Sequence, residues 1–183
     1  CINCINLIDG LDGLSGGISS IYYLTIAIIA TIQGKTGLDF VMAFTMLGAT
    51  LGFLVYNFHP ANIFAGDSGS MFMGFMISVI ALFGFKNVTM TSLIIPLVIL
   101  AIPILDTVFA IVRRLLKGEN PAKGDKSHIH HQLLSRNMSH GKTVFIILFI
   151  NVLFSVASIL YVLEDKKLGY IIYGFLLLIV IVF

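Results

Sequence analysis

The segment Val144–Leu163 reads VFIILFINVLFSVASILYVL and carries no charged side chain. A helix needs about 20 consecutive apolar residues to cross the hydrocarbon core of a bilayer, so this segment has the length and composition of a transmembrane helix. Five more apolar runs occur, at 14–32, 38–56, 71–85, 90–112 and 168–183. The run at 71–85 is short, and we expect its helix to begin earlier, within 67–70.

The composition of the whole chain agrees with this interpretation. Of 183 residues, 58% are hydrophobic and 11% are charged, and a soluble domain of this size would leave too much apolar surface in water. We therefore predict an all-α fold, a polytopic transmembrane helical bundle with about six spans, forming one membrane domain over 1–183. A net charge of +2 gives no reason to expect nucleic acid as a partner. Because the chain starts at Cys1 and ends inside an apolar run, we expect it to be the C-terminal part of a longer protein.

The basic residues predict the orientation of the bundle. Seven of the eleven Lys and Arg residues lie within 113–142, and such residues favour cytoplasmic loops. We therefore expect a cytoplasmic loop at about 113–143. Counting spans backwards from it places 57–70 and 6–17 on the same side of the membrane, so three polar motifs should meet at the cytoplasmic face.

The first motif, NLIDGLDGL at 6–14, precedes the first long apolar run. Asp9 and Asp12 are three residues apart, which in a helical turn places them on one face. Gly10 and Gly13 allow a ligand to approach the backbone closely. The carboxylates are suited to a divalent cation, a nucleobase or a sugar. The simpler alternative is that acids at a helix start complement the helix dipole.

The second motif, at 57–70, ends where an apolar helix is predicted to begin. Gly66 and Ser68 can present backbone N–H groups to a phosphate at the start of that helix. Asp67 between them is a hard oxygen ligand of the kind that holds Mg²⁺ together with substrate phosphates. A simple helix cap would not explain Asn57 and Phe64 upstream.

The third motif, at 125–131, contains three of the five histidines. If it is helical, His128 and His131 share a face and His130 projects elsewhere. A zinc protease would need a glutamate in H-E-x-x-H, and none is present, although zinc binding by the three histidines alone stays open. Imidazoles near basic residues such as Arg136 suit a diphosphate, through hydrogen bonding and charge.

Three further polar residues lie in or beside apolar runs. Asp106 follows Pro103 in the fourth run, where a carboxylate is expected to face the bundle interior and the proline to kink or break the helix. We expect Asp106 to orient a nearby arginine or a motif residue. His59 and His140 are isolated, and we expect each to form a local hydrogen bond.

Together these residues resemble the polyprenyl-phosphate N-acetylhexosamine-1-phosphate transferase family, of the glycosyltransferase 4 type. The resemblance covers 6–14, 57–74, 103–114 and 125–134. The sequence HIHHQLL is similar to the branch that uses UDP-N-acetylglucosamine (UDP-GlcNAc), whereas the peptidoglycan branch tends to show three consecutive histidines.

The resemblance implies a reaction and its setting. Undecaprenyl phosphate would attack the β-phosphate of UDP-GlcNAc and give undecaprenyl diphosphate N-acetylglucosamine and UMP, which initiates the synthesis of teichoic acid or a related cell-wall glycan. Mg²⁺ would be required, with Mn²⁺ as a substitute. The protein would be a bacterial multi-pass cell-membrane enzyme with its site on the cytoplasmic face, and a homodimer is a further expectation. Three alternatives stay open: a phospho-N-acetylmuramoyl-pentapeptide transferase, a non-catalytic membrane protein that binds nucleotide sugar or lipid carrier, and a transporter.

The resemblance also implies roles for residues. Asp67 would bind Mg²⁺, with Asp9 or Asp12 as a candidate second ligand. The residues expected in catalysis are Asp67, His128, His130 and His131. Those expected to bind substrate are Asn6, Asp9, Asp12, Asn57, Phe64, Gly66, Ser68 and Arg136, with the two aspartates, Asn57 and Phe64 holding the uridine. The family carries an aspartate pair on an earlier segment, so 1–183 alone is expected to be inactive. This interpretation requires Asp67 and Asp12 to lie close together at one end of the bundle.

Overall fold

The computed structural model describes residues 1–84, 94–118, 128–163 and 166–182, and within these ranges the chain forms helices and turns without a β-strand. The helices are α1 (Ile2–Ile8), α2 (Leu14–Ile32), α3 (Leu38–Asn57), α4 (Gly66–Gly84), α5 (Ile94–Ile99), α6 (Ala101–Leu116), α7 (Ile129–Ser135), α8 (His140–Val162) and α9 (Lys166–Val182). The predicted all-α class is confirmed.

Four of the described helices are long and apolar enough to cross a membrane, namely α2, α3, α4 and α8. Helix α2 coincides with the predicted run at 14–32. Helix α4 begins at Gly66, before the run at 71–85 as expected and one residue ahead of the range 67–70. The structure therefore agrees with a polytopic membrane bundle. The remaining predicted spans correspond to the pair α5 and α6 and to α9, so the number of about six stays a prediction.

Helix α2 is the central element of the bundle, because it packs against α3, α4 and α8. Its tyrosines are fully buried, and each hydroxyl donates a hydrogen bond to a carbonyl of α4: Tyr22 to Ile77 at 3.3 Å and Tyr23 to Met73 at 2.9 Å. These bonds satisfy polar groups that water cannot reach inside a bilayer. They also fix the position of α4 against α2.

The run predicted at 90–112 is interrupted at Leu100, between α5 and α6. Pro103 has no N–H with which to reach the carbonyl of Ile99 four residues earlier. The side-chain amide of Asn151, on α8, donates to that carbonyl at 2.7 Å instead. The break expected from Pro103 is therefore present, and a neighbouring helix satisfies the backbone group that it exposes.

Four segments meet at one end of the bundle: the turn between α1 and α2, the connection between α3 and α4, helix α7, and the start of α8. The turn between α2 and α3 lies at the other end, where Lys35 Nζ donates to the carbonyl of Gly84 at 3.0 Å. The described parts of the three polar motifs thus lie on one side, in agreement with the span count.

Candidate functional site

A cavity of about 220 Å³ lies at this end of the bundle. Its lining comes from the first two motifs and consists of Asp9, Gly10, Leu11, Asp12, Asn57, Phe64, Ala65 and Gly66. The structure therefore brings together five of the residues expected from the sequence to bind substrate, although they stand up to 57 positions apart in the chain.

The two aspartates of the first motif do not share a helical face, and that prediction is wrong. Asp9 ends α1 with ψ of 47°, and Gly13 precedes α2 with φ of +78°. A left-handed φ suits glycine because it has no Cβ, and Gly13 allows the chain to turn between the two helices. Asp9 and Asp12 therefore lie in a non-helical turn and meet different neighbours.

Gly10 is the point at which the third motif reaches the first. A Cβ placed on Gly10 would lie 2.4 Å from Nε2 of His130. Only a glycine leaves room for the imidazole at this position. The contact brings His130 beside a residue that lines the cavity.

Asn57 joins the first motif to the second. Its Oδ1 accepts a hydrogen bond from the N–H of Gly13 at 3.0 Å, and its Nδ2 donates to the carbonyl of Ile63 at 2.8 Å. Because Asn57 is buried, these bonds hold the α1–α2 turn against the α3–α4 connection. A direct contact between Asn57 and uridine stays a prediction.

Asn6 joins the same two motifs on the other side of the turn. Its Nδ2 donates to Asp67 Oδ1 at 3.0 Å and to Ser70 Oγ at 2.9 Å. Asp67 lies in the first turn of α4 and is exposed, as are Gly66 and Ser68. The carboxylate is thus held in place by an amide and is accessible to an ion from solvent.

The carboxyl group of Asp9 has a raised pKa. Burial is the main cause, and the negative charge of Asp67 raises the pKa further, while a hydrogen bond from the hydroxyl of Ser15 lowers it. A divalent cation between the two carboxylates would remove their repulsion, and an all-oxygen donor set suits Mg²⁺. Asp9 and Asp67 therefore fit the cation that the sequence predicts.

Asp12 has the opposite shift. Its pKa is lowered, chiefly by a hydrogen bond with His59, where Nδ1 lies 2.9 Å from Oδ2, and also by the N–H of Ala61, which donates at 3.2 Å, and by His140. The rings of His59 and His140 stack with centroids 4.3 Å apart. Asp12 is thus a carboxylate held in its ionised form.

The expectation of local hydrogen bonds for His59 and His140 is wrong. His59 bonds Asp12, 47 positions away, and His140 Nε2 lies 3.5 Å from the backbone oxygen of Asp12, 128 positions away. Sequence reasoning missed this convergence. The available signal was that both histidines stand at ends of apolar runs that the span count places on the motif side.

Asp106 orients the third motif. Its Oδ2 lies 2.8 Å from His128 Nδ1, and its Oδ1 accepts a hydrogen bond from the N–H of Ile129 at 2.8 Å. Asp106 is buried on α6, so it anchors the start of α7 to the bundle. The orientation of a motif residue, one of the roles expected for Asp106, is therefore confirmed.

The histidines of the third motif are arranged differently from the helical prediction. His128 precedes α7 in an extended conformation, so it does not share a helical face with His131. The rings of His128 and His130 are parallel, with centroids 5.8 Å apart. Arg136, at the end of α7, and His131 are exposed, and neither lines the cavity. The beginning of this motif, 125–127, lies outside the described residues.

His130 is 2% exposed, and burial together with His131 lowers its pKa to about 4. Its Nδ1 has no hydrogen-bond partner among the described residues. The imidazole is therefore neutral at pH 7. It lacks the positive charge that the sequence suggested for binding a diphosphate.

The regions of the chain that match known proteins include the motifs described above. Residues 1–85, which contain the first two motifs, match the model of glycosyl transferase family 4. The chain is 46% identical over 144 residues to a Bacillus subtilis protein described as a probable undecaprenyl-phosphate N-acetylglucosaminyl 1-phosphate transferase, which covers 78% of the chain and 40% of that protein.

Two other relatives have related descriptions. The chain is 38% identical over 119 residues to the decaprenyl-phosphate N-acetylglucosaminephosphotransferase of Mycolicibacterium smegmatis, covering 58% of the chain and 29% of that protein. It is 33% identical over 123 residues to the undecaprenyl-phosphate alpha-N-acetylglucosaminyl 1-phosphate transferase of Escherichia coli, covering 64% and 33%. The chain thus spans well under half the length of these curated relatives.

Proposed function

The chain belongs to glycosyl transferase family 4, and from this premise we propose that the full-length protein transfers N-acetylglucosamine 1-phosphate from UDP-GlcNAc to undecaprenyl phosphate, with UMP as the second product. The observation that carries the proposal is the cavity in which a half-buried carboxylate, Asp9, and an ionised one, Asp12, meet the start of α4. The descriptions of the relatives support the lipid phosphate acceptor and the amino sugar.

Asp67 is the proposed Mg²⁺ ligand, with Asp9 as its partner. Asn6 donates to Asp67 Oδ1 and so restrains the orientation of the carboxylate. When bound, the cation would neutralise charge on the diphosphate and stabilise the departing UMP. The N–H groups at the start of α4 would bind phosphate oxygens next to it.

The other side of the cavity is proposed to hold the uridine. Asp12 is ionised and can accept hydrogen bonds from the base or the ribose. Phe64 is exposed and lines the cavity, so its ring is available for stacking on the base. Asn57 fixes the distance between these two groups through its bonds to Gly13 and Ile63.

The histidine motif is proposed to contact the diphosphate or the sugar. Asp106 holds Nδ1 of His128 and thereby sets which nitrogen of that ring faces outward. His130 is neutral and contacts Gly10, and its imidazole would form a hydrogen bond with an oxygen of UDP-GlcNAc. These contacts position the reacting groups, and phosphoryl transfer depends mainly on such positioning and on charge stabilisation.

An apolar cleft of about 330 Å³ lies between α3 and α4 and shares Phe64 and Ala65 with the polar cavity. It gives the cavity an apolar neighbour, which suits an acceptor with a hydrocarbon tail. A soluble acceptor would have no use for such a surface. We propose further that the protein is a bacterial multi-pass membrane enzyme whose site faces the cytoplasm and initiates a cell-wall glycan.

The test is a transfer assay on the purified full-length protein with undecaprenyl phosphate and UDP-GlcNAc. We expect UMP and lipid-linked N-acetylglucosamine to form in equal amounts, and both to disappear when EDTA removes Mg²⁺. Binding of the nucleotide sugar without UMP release would favour the non-catalytic alternative. Faster turnover with UDP-N-acetylmuramoyl-pentapeptide than with UDP-GlcNAc would favour the peptidoglycan reaction.

A further inference from the structure

We propose that Asp12, His59 and His140 form a second cation site, specific for zinc-class transition ions and separate from the carboxylate of Asp67. One ligand atom from each of the three residues lies within 4.8 Å of the other two. Among the residues that the structure describes, this is the one group of three such side chains with this geometry. The ligand class would be Zn²⁺ or a similar ion bound by two imidazoles and one carboxylate.

The three side chains come from three different elements. Asp12 lies in the α1–α2 turn, His59 follows α3, and His140 is the first residue of α8. Hydrogen bonding and ring stacking already hold them together. Zn²⁺ binds histidine nitrogen and carboxylate oxygen at about 2.0–2.2 Å, so binding needs only side-chain rotations that draw the donors inward.

The chemistry of the donors separates this site from the Mg²⁺ site. Imidazole nitrogens favour transition ions, whereas Mg²⁺ favours oxygen ligands. Three protein ligands leave a fourth tetrahedral position for water or for an oxygen of a ligand. The side chain of His59 is 54% exposed and that of Asp12 is 21% exposed, so an ion reaches the donors directly from solvent.

The histidine motif of α7 is a poorer zinc site than this cluster. Nδ1 of His128 is occupied by Asp106. His130 is buried against Gly10. The zinc site that the sequence left open for three histidines is thereby reassigned to the two histidines outside the motif.

Occupation of this site has a consequence for the proposed function. Asp12 is a proposed uridine contact. A carboxylate that binds Zn²⁺ is no longer available to UDP-GlcNAc. We expect Zn²⁺ to inhibit transfer at saturating Mg²⁺ and to compete with UDP-GlcNAc. This consequence rests on the proposed function, whereas the binding of the ion does not.

The binding test uses the full-length protein without an affinity tag. Zn²⁺ is titrated against a chromophoric chelator in excess Mg²⁺, and we expect about one ion per chain at this site. His59→Gln and His140→Gln should each weaken binding at least about tenfold. His131→Gln is the matched control, because it removes an exposed histidine nearby, and its affinity for Zn²⁺ should equal that of the wild type.

His59 is half exposed, so its replacement leaves no buried cavity, and the elution profile of each variant in detergent confirms folding. Wild-type affinity in His59→Gln would overturn the proposal. Equal loss in His131→Gln would also overturn it, because the histidine motif would then be the ligand.

The inhibition test compares initial transfer rates with and without Zn²⁺. Inhibition that is relieved by UDP-GlcNAc and is absent in His59→Gln supports the proposed competition. Binding of Zn²⁺ without any inhibition overturns the competition at Asp12 and leaves the ion site intact. A protein that binds one Zn²⁺ but releases no UMP under any condition refutes the proposed function alone.

Discussion

Asp9 and Asp12 stand three residues apart in one turn, yet they lie in opposite electrostatic environments. Asp9 is half-buried near the negative charge of Asp67, and its pKa is raised. Asp12 receives hydrogen bonds from His59 and Ala61, and its pKa is lowered. Environments that push the pKa values of neighbouring carboxyl groups apart usually mark different roles.

The difference suggests that the cavity has a cation side and a nucleoside side. Asp9 gains from any positive charge that replaces its proton, which is what Mg²⁺ provides. Asp12 is ionised without a metal and is ready to accept hydrogen bonds. A single function for the acidic pair would not explain why the fold surrounds one with carboxylate charge and the other with imidazoles.

The largest expected effect is at Asp67, the second carboxylate of the cation side. Asp67→Asn should lower Mg²⁺-dependent UMP release by about 10³-fold, or about 4 kcal/mol in transition-state stabilisation. The fold should survive, because the Oδ1 of an asparagine still accepts the hydrogen bond from Asn6. Steady-state UMP release at increasing Mg²⁺ measures the effect.

Two variants serve as comparisons for this experiment. Asp12→Asn should raise the KM for the donor while the dependence on Mg²⁺ stays as in the wild type. Asp39→Asn, at the start of α3 and near Gly84, carries the same chemical change at the other end of the bundle and should not alter turnover. Loss of the Mg²⁺ response in Asp12→Asn would show that the two sides are not separate.

The next prediction concerns His130, which contacts Gly10, and the pH dependence of the stability of the fold. The pKa of His130 is about 4 in the folded protein, against about 6.5 for an unperturbed histidine. Below pH 6.5 the unfolded chain binds a proton that the folded chain binds only near pH 4, so stability present above pH 6.5 is lost as the pH falls. The loss between pH 7 and pH 5 should be about 2 kcal/mol.

His130→Gln should remove this contribution, which thermal unfolding in detergent at pH 7 and pH 5 would show. The comparison is between the pH dependence of the variant and that of the wild type, so the other histidines cancel. An identical pH dependence in the two proteins would mean that His130 is accessible to protons in the folded state. His131→Gln removes one cause of the lowered pKa of His130 but leaves its burial, so it should reduce this pH dependence only in part.

A third prediction tests whether activity requires the contact between His130 and Gly10, in the turn that carries Asp9 and Asp12. In Gly10→Ala the new Cβ would meet Nε2 of His130 at 2.4 Å and push α7 away from the cavity. Displacement of a positioned group by about 1 Å costs up to about 100-fold in rate, so we expect kcat to fall by about 10- to 100-fold. Gly48→Ala, where a Cβ meets nothing within 4 Å, should leave kcat unchanged.

The sequence alone was sufficient for the fold class and for the gathering of the motifs. The length of the apolar run predicted both ends of α2, because a helix needs about 20 apolar residues to cross the hydrocarbon core of a bilayer. Counting the apolar spans placed all three motifs at one end of the bundle, since each span reverses the direction of the chain. Pro103 predicted the break before α6 for a local reason, because proline has no N–H to donate within the helix.

The sequence was insufficient where contacts depend on packing between distant segments. The non-helical turn at Asp9 and Asp12 follows from the left-handed Gly13 and its contacts with α3, which no helical periodicity reveals. The convergence of His59 and His140 on Asp12 depends on where α8 begins relative to that turn. Neither histidine lies in a spacing that predicts a shared partner.

The smallest expected effects are changes in unfolding temperature, and they test the contrast between Asp9 and Asp12 most directly. The same substitution should shift the temperature in opposite directions at these two positions. Asp9→Asn removes a charge that burial and Asp67 disfavour, and the hydroxyl of Ser15 can still donate to the asparagine. We therefore expect the metal-free variant to unfold at a slightly higher temperature than the wild type at pH 7. Asp12→Asn loses the ionised partner of His59 and should unfold at a slightly lower temperature.

The same substitution at Asp9 should weaken Mg²⁺ binding. One carboxylate near a cation at a solvated site contributes about 1 kcal/mol, so the apparent Mg²⁺ affinity should fall about fivefold. In the wild type that affinity should decline as the pH falls towards the raised pKa of Asp9, because protons compete with the ion, and in Asp9→Asn this part of the decline should be absent. Equal Mg²⁺ affinities at every pH would exclude Asp9 from the cation side, and Asp67 would then bind Mg²⁺ without it.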